Sequence, residues 1–106
     1  MSKSIVYPSN SVAMATYNGE KYLEEQLDSI LSQSLLPSEI IVCDDQSTDG
    51  TRKILDKYQQ KGLLTYFVNH KRLGFIGNFK RAVSLTSPDH YIALSDQDDI
   101  WLPGKI

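Results

Sequence analysis

Four short apolar runs, each ended by polar residues and separated by stretches of helical periodicity, constrain this chain more than any other feature. The runs are Ser11-Val12-Ala13-Met14-Ala15-Thr16, Glu39-Ile40-Ile41-Val42-Cys43, Leu63 to Asn69, and Tyr91-Ile92-Ala93-Leu94. Each has the length and composition of a buried strand. Between the first two, Leu23, Leu27, Ile30 and Leu31 recur at helical spacing, with Glu24, Glu25 and Asp28 on the other face. That pattern predicts an amphipathic helix from Lys21 to about Gln33, stopped by Pro37. Ile54, Leu55 and Tyr58 predict a second helix closed near Gly62. A loop from His70 to Gly77 should lead to a third, carrying Phe79, Ala82 and Val83. The order β-α-β-α-β-α-β predicts an α/β fold, a Rossmann-like and mostly parallel sheet with helices on both faces.

The bulk properties narrow the function classes. A length of 106 residues allows one domain, and no repeat, low-complexity tract or linker divides it. Residues 1–10 are polar, carry Pro8 and are expected to form a flexible leader, with 11–106 as the domain. A net charge of −2 argues against a non-specific nucleic-acid binder, which needs a basic surface. The single cysteine excludes an internal disulfide, and Cys43 lies inside an apolar run as a core thiol would. No stretch reaches the length of a membrane span and no signal-peptide pattern opens the chain. A cytoplasmic location is therefore expected, with peripheral attachment at the inner face of the membrane left open. The ending Pro103-Gly104-Lys105-Ile106 reads as the start of another helix, so a longer parent protein is expected.

In a parallel sheet the C-terminal strand ends converge on one edge, where open α/β sheets place ligands. Three of these ends are distinctive: Thr16-Tyr17-Asn18, Asp44-Asp45, and Asp96-Gln97-Asp98-Asp99. An aromatic ring and amides can stack on and hydrogen-bond a nucleobase. A carboxylate can accept the imide N–H of uracil or thymine, or a ribose hydroxyl. Crowded carboxylates repel unless a divalent cation neutralises them, and such a cation can face a diphosphate. Each piece has a plainer reading: Tyr17 as a rim aromatic, Asn18-Gly19 as a turn, and Asp44, Asp45, Ser47 or Thr48 as a cap for the next helix. The spacing Asp45-x-Ser47-x-Asp49-Gly50 imitates a calcium-binding EF-hand loop, but a strand rather than a helix precedes it. His70 and His90 match no metal spacing; Lys71-Arg72 could meet phosphate, with an exposed basic pair as the plainer reading.

The blocks VAMATYNGEKYLEEQLDSILSQ, EIIVCDDQSTDGT, GNFKRA and YIALSDQDDIWLPGKI, in this order over residues 11–106, resemble the N-terminal half of family 2 inverting glycosyltransferases of the GT-A fold. The resemblance implies a truncated nucleotide-binding half that takes a UDP- or dTDP-sugar donor and Mn²⁺ or Mg²⁺. It implies that Thr16, Tyr17, Asn18 and Glu20 line the base and ribose pocket, that Asp45 with Asp44 beside it reads the base, and that Asn78 and Asp96 also serve the donor. Asp96 and Asp98 form the family's Asp-x-Asp pair; with adjacent Asp99 they would hold the metal and diphosphate. The DQDDIW variant is similar to a subgroup that includes rhamnosyltransferases. A glycan or lipid-linked acceptor, and cell-surface polysaccharide synthesis, follow by the same analogy. The general base of the family lies downstream, so no catalytic residue is expected in this chain, which alone should not support transfer at a normal rate.

Two other classes compete. A phosphohydrolase could use Asp96 as nucleophile and Asp98 as acid/base, but would carry that motif near the start of its fold. A non-catalytic nucleotide or calcium sensor would need no base. The released product separates them: a nucleoside diphosphate, inorganic phosphate, or nothing.

Overall fold

The computed structural model describes residues 10–32, 39–86 and 91–96. The elements follow in the expected order: β1 (Asn10–Thr16), α1 (Glu20–Leu31), β2 (Glu39–Asp44), α2 (Thr51–Gln60), β3 (Thr65–Val68), α3 (Gly74–Ser84) and β4 (Tyr91–Asp96). The strands form one parallel sheet in the order β3-β2-β1-β4. The chain steps outward from β1 to β3, then returns across the sheet to add β4 on the far side of β1. The direction of winding therefore reverses between β1 and β4, where open α/β sheets form a ligand crevice.

Strand alternation divides the central strands between two layers. Val12 and Met14 of β1 and Ile40 and Val42 of β2 face α1 and α2, where Leu23, Leu27, Ile30, Leu55 and Tyr58 complete a buried cluster. Ala13 and Cys43 face α3 and meet Ala82, with Val83 beside them, in a cluster that is smaller among the described residues. Cys43 is a buried free thiol, and burial raises its pKa despite the opposing charge of Arg81. Helices α1 and α2 lie side by side; Glu24 pairs with Lys57, and the Tyr58 hydroxyl donates to Asp28 Oδ1 at 2.5 Å.

Two boundaries differ from the sequence expectation. Helix α3 begins at Gly74, whereas the sequence pattern placed a loop through Gly77. Its first amides are held by a carboxylate distant in sequence, described below, which no local pattern announces. Strand β4 continues through Ser95 to Asp96, so the first of the clustered acids belongs to the sheet. The expected leader is described only at Asn10, and Gln97, Asp98, Asp99 and the apolar segment after them lie outside the described residues.

Candidate functional site

The sheet brings the predicted strand ends together. Thr16 of β1 is in register with Asp44 of β2, and Ala15 with Asp96 of β4. Tyr17, Asp45 and the backbone of Asp96 thus sit along one edge, beside the crevice between β1 and β4. Asp98 and Asp99, the other two predicted metal ligands, lie outside the described residues.

Adjacent carboxylates on β2 and at its end point to opposite layers. Asp44, fully buried toward α1 and α2, accepts from Thr16 Oγ1 at 2.7 Å and Ser47 Oγ at 2.6 Å on Oδ1, and from Ser47 N at 2.9 Å on Oδ2. These bonds fasten the end of β1 to the loop after β2. Asp45, only 2% exposed, turns toward α3. Its Oδ1 accepts from Asn69 Nδ2 at 2.9 Å and Leu73 N at 2.8 Å; its Oδ2 accepts from Gly74 N at 3.0 Å and Arg72 Nε at 3.1 Å. Burial alone would raise the Asp45 pKa. The donors from Asn69, Leu73, Arg72 and Gly74 outweigh it and hold the carboxyl below its ordinary range.

An anionic carboxylate on the first amides of α3 also complements the helix dipole. This is the cap that starts α3 early. Gly74 lies at φ +80°, a region where a side chain is strained, and that bend lets successive amides converge on Asp45.

Behind Asp45 stands a buried amide network. Asn69 Nδ2 also reaches Asn78 Oδ1 at 2.8 Å, Asn78 Nδ2 donates to the Thr16 carbonyl at 3.3 Å, and Arg81 donates to Asn69 Oδ1 at 2.5 Å. Asn78, expected to serve the donor, thus ties α3 to the end of β1. Gln46, held at φ 64°, donates through Nε2 to the carbonyls of Asn69 and His70 at 3.0 and 2.6 Å.

The loops after β1 and β2 are stitched by reciprocal caps. Glu20 Oε1 accepts from Gly50 N at 3.0 Å, while Asp49 Oδ2 accepts from Glu20 N at 3.2 Å and Asp49 Oδ1 from Thr51 N at 2.9 Å. Each helix start therefore receives a carboxylate from the other's loop. The cap of α2 comes from Asp49 and Glu20, and not from Asp44, Asp45, Ser47 or Thr48 as the local pattern suggested. Asn18, at φ 49°, accepts from Thr48 N at 2.7 Å, and its own amide donates to Ser47 Oγ at 2.9 Å.

Tyr17 is 38% exposed at the rim, and the Arg72 guanidinium carbon lies 3.7 Å from its ring centroid. Arg72 is therefore more than the solvated half of a basic pair: it joins Tyr17 to Asp45. Asn69, Arg72 and Arg81 were not singled out as site residues by the sequence reading. Their one signal is position, since Asn69 follows β3 and so reaches the same sheet edge as the acids after β2.

Among the described residues no group of three or more potential ligands is close enough to hold a metal ion. Of the expected ligand positions, the described chain contains Asp96, in register with Ala15 at the C-terminal edge of the sheet.

A parallel α/β sheet with acids and an aromatic at its switch-point edge defines a nucleotide-binding type of fold. The glycosyl transferase family 2 model matches residues 11–106, and the chain belongs to that family. It is 40% identical over 98 residues to the dTDP-rhamnosyl transferase RfbG of Shigella flexneri, covering 88% of this chain and 34% of that protein. The TarS 1–349 structure from S. aureus in complex with UDP-GlcNAc superposes with a TM-score of 0.75 at 32% identity, over 85% of this chain and 26% of that one. The mannosyltransferase PcManGT of Pyrobaculum calidifontis, in complex with GDP-Man and Mn²⁺, superposes with a TM-score of 0.74 at 26% identity, over 86% of this chain and 28% of that one. The chain spans about a third of the length of the curated relatives it matches. No helix among the described residues is long and apolar enough to cross a membrane.

Proposed function

We propose that this chain is the donor-binding part of a glycosyltransferase that takes a UDP- or dTDP-sugar with a divalent cation and transfers the sugar with inversion. The observation that carries the reading is the convergence of Tyr17, Asp45 and the end of β4 at the edge beside the β1/β4 switch point. The nucleotide sugars in the names of the relatives support the donor class, and RfbG favours dTDP as much as TarS favours UDP.

In this reading the Tyr17 ring stacks on the base and Asp45, held as an anion, accepts its imide N–H. Thr16, Asn18, Glu20, Asp44 and Asn78 frame the pocket by fixing the two loops and the start of α3. Asp96, with Asp98 and Asp99, would hold Mn²⁺ or Mg²⁺, whose charge would serve the donor diphosphate. Such an ion, when bound, neutralises the charge that builds on the departing diphosphate. The acceptor hydroxyl attacks the anomeric carbon in line, its proton taken by a carboxylate supplied outside this chain. A glycan or lipid-linked acceptor, a role in cell-surface polysaccharide synthesis and a place at the inner face of the membrane complete the proposal.

Calorimetric titration with UDP and dTDP, with and without Mn²⁺, tests it in the wild type and in Asp98→Asn. Metal-dependent binding that disappears in the variant is expected. A folded full protein that binds neither nucleotide would sink the donor-site assignment. Release of inorganic phosphate, rather than acceptor-dependent release of UDP or dTDP, would replace transfer with phosphate-ester hydrolysis.

A further inference from the structure

The Asp45 carboxylate is fully engaged in this structure and can read a base only by giving up a donor. An ionised carboxylate offers about four acceptor positions. Here Asn69 Nδ2 and Leu73 N take those of Oδ1, and Gly74 N and Arg72 Nε take those of Oδ2. The donors are not equally removable. Leu73 N and Gly74 N are backbone at the start of α3, and Asn69 is buried and held in turn by Asn78 and Arg81. Arg72 alone donates from a long side chain, and that side chain is 51% exposed.

The same guanidinium lies 3.7 Å above the Tyr17 ring, which is contact distance, so no second ring fits between them. Arg72 therefore makes both contacts that a uracil or thymine would make here. Its guanidinium carbon sits over the aromatic ring, and its Nε–H donates to the carboxylate.

We propose that Arg72 fills the nucleobase slot of the free protein, so that donor binding exchanges the guanidinium for the base. The inference rests on the pocket assignment above and adds a specificity element to it. An incoming base must present a π-face to Tyr17 and also an N–H to Asp45, because only a ligand that replaces both contacts compensates for displacing the arginine. A ring lacking an N–H at that position would leave the Asp45 carboxylate under-bonded in a buried site.

The test uses uridine and thymidine, which carry no phosphate, so that any attraction between Arg72 and a diphosphate stays out of the measurement. Calorimetric affinities of the full protein are compared for the wild type, Arg72→Ala, Tyr17→Ala and the double variant, each checked for folding by circular dichroism. Arg72→Ala is expected to bind nucleoside roughly 3- to 30-fold more tightly, the combined size of a half-exposed cation–π contact and ion pair. Affinity unchanged or weakened by Arg72→Ala, with binding still lost in Tyr17→Ala, would overturn the exchange and leave the pocket standing. Binding indifferent to Tyr17→Ala, or absent in every folded variant, would remove the pocket and the exchange together.

Discussion

The two layers of this sheet are built from different materials. Toward α1 and α2 the strands present Val12, Met14, Ile40 and Val42, and the helices answer with leucines, an isoleucine and a tyrosine. Toward α3 the clustered residues among those described are Ala13 and Cys43, answered by Ala82 with Val83 packed against them. Beside that smaller cluster of described residues, amides, an arginine and Asp45 gather. Asp44 and Asp45 show the division within one dipeptide. The first is enclosed by hydroxyls and a backbone amide, while the second keeps one donor on an exposed side chain. Among the described residues, then, one layer is a large apolar cluster and the other combines a small cluster with polar chemistry.

The most direct way to break this comparison is to shorten a large residue in the first layer. Leu27→Ala is expected to cost about 2–5 kcal/mol, because Leu27 is wholly buried and the cavity collapses only in part. Ala82→Gly, its counterpart against α3, should cost about 1–2 kcal/mol from helix propensity and one lost methyl. Urea denaturation of both variants checks the contrast, and equal losses would show that the two layers share the load.

Asp45→Asn probes the polar layer. The variant sets an amide N–H₂ among donors that need an acceptor, with an expected cost of about 2–3 kcal/mol near neutral pH. The pH dependence follows from the depressed pKa of the folded carboxyl. Its contribution is present above the unfolded value, about 3.9, and is lost as pH falls through the folded one. The gap between wild type and variant should therefore be widest at pH 5–7 and narrow in acid below about pH 4. A gap independent of pH would mean that the charge on Asp45 does not contribute.

Much of the first layer could be read directly from the chain, because apolar spacing is a local signal. Leu23, Leu27 and Ile30 announce α1, and Val12 with Met14 announces the strand that α1 covers. The edge that gathers Thr16, Asp45 and Asp96 was also legible, since parallel strands must share it. What could not be read is the wiring between loops. The cap of α3 comes from a carboxylate 28 residues before Leu73, and the Gly50 amide is capped from 30 residues away. Neither partner carries a local pattern, so α3 was expected to start too late and Glu20 was not foreseen as a partner for the start of α2. Arg72 was hidden for the same reason: a basic pair in a loop looks solvated until the fold brings Tyr17 and Asp45 to it.

A smaller effect tests the polar rim of the first layer. In Tyr58→Phe the hydroxyl that donates to Asp28 is removed, for an expected loss of about 1.5 kcal/mol, typical of a bond to a charged acceptor. Burial first, and then the Asp28 carboxylate, raise the Tyr58 pKa well above that of an ordinary phenol. A raised folded value contributes stability that is complete below the unfolded pKa, about 10, and fades as pH rises beyond it. Denaturation at pH 9 and pH 11 should show the wild type losing more than Tyr58→Phe, and parallel losses would argue against this coupling.

The smallest expected effect sits on the seam between the layers' loops. A Cβ at Gly50 would lie 2.5 Å from the nearer Glu20 carboxylate oxygen. That carboxylate ends a flexible side chain, so Gly50→Ala should push it aside without unfolding the loop. The loss is then that of one helix cap, about 1 kcal/mol. Glu20→Ala removes the same cap from the other side, so the double variant should lose no more than the larger single loss. Additive losses in this cycle would show that the clash at Gly50 acts on the backbone and not through Glu20.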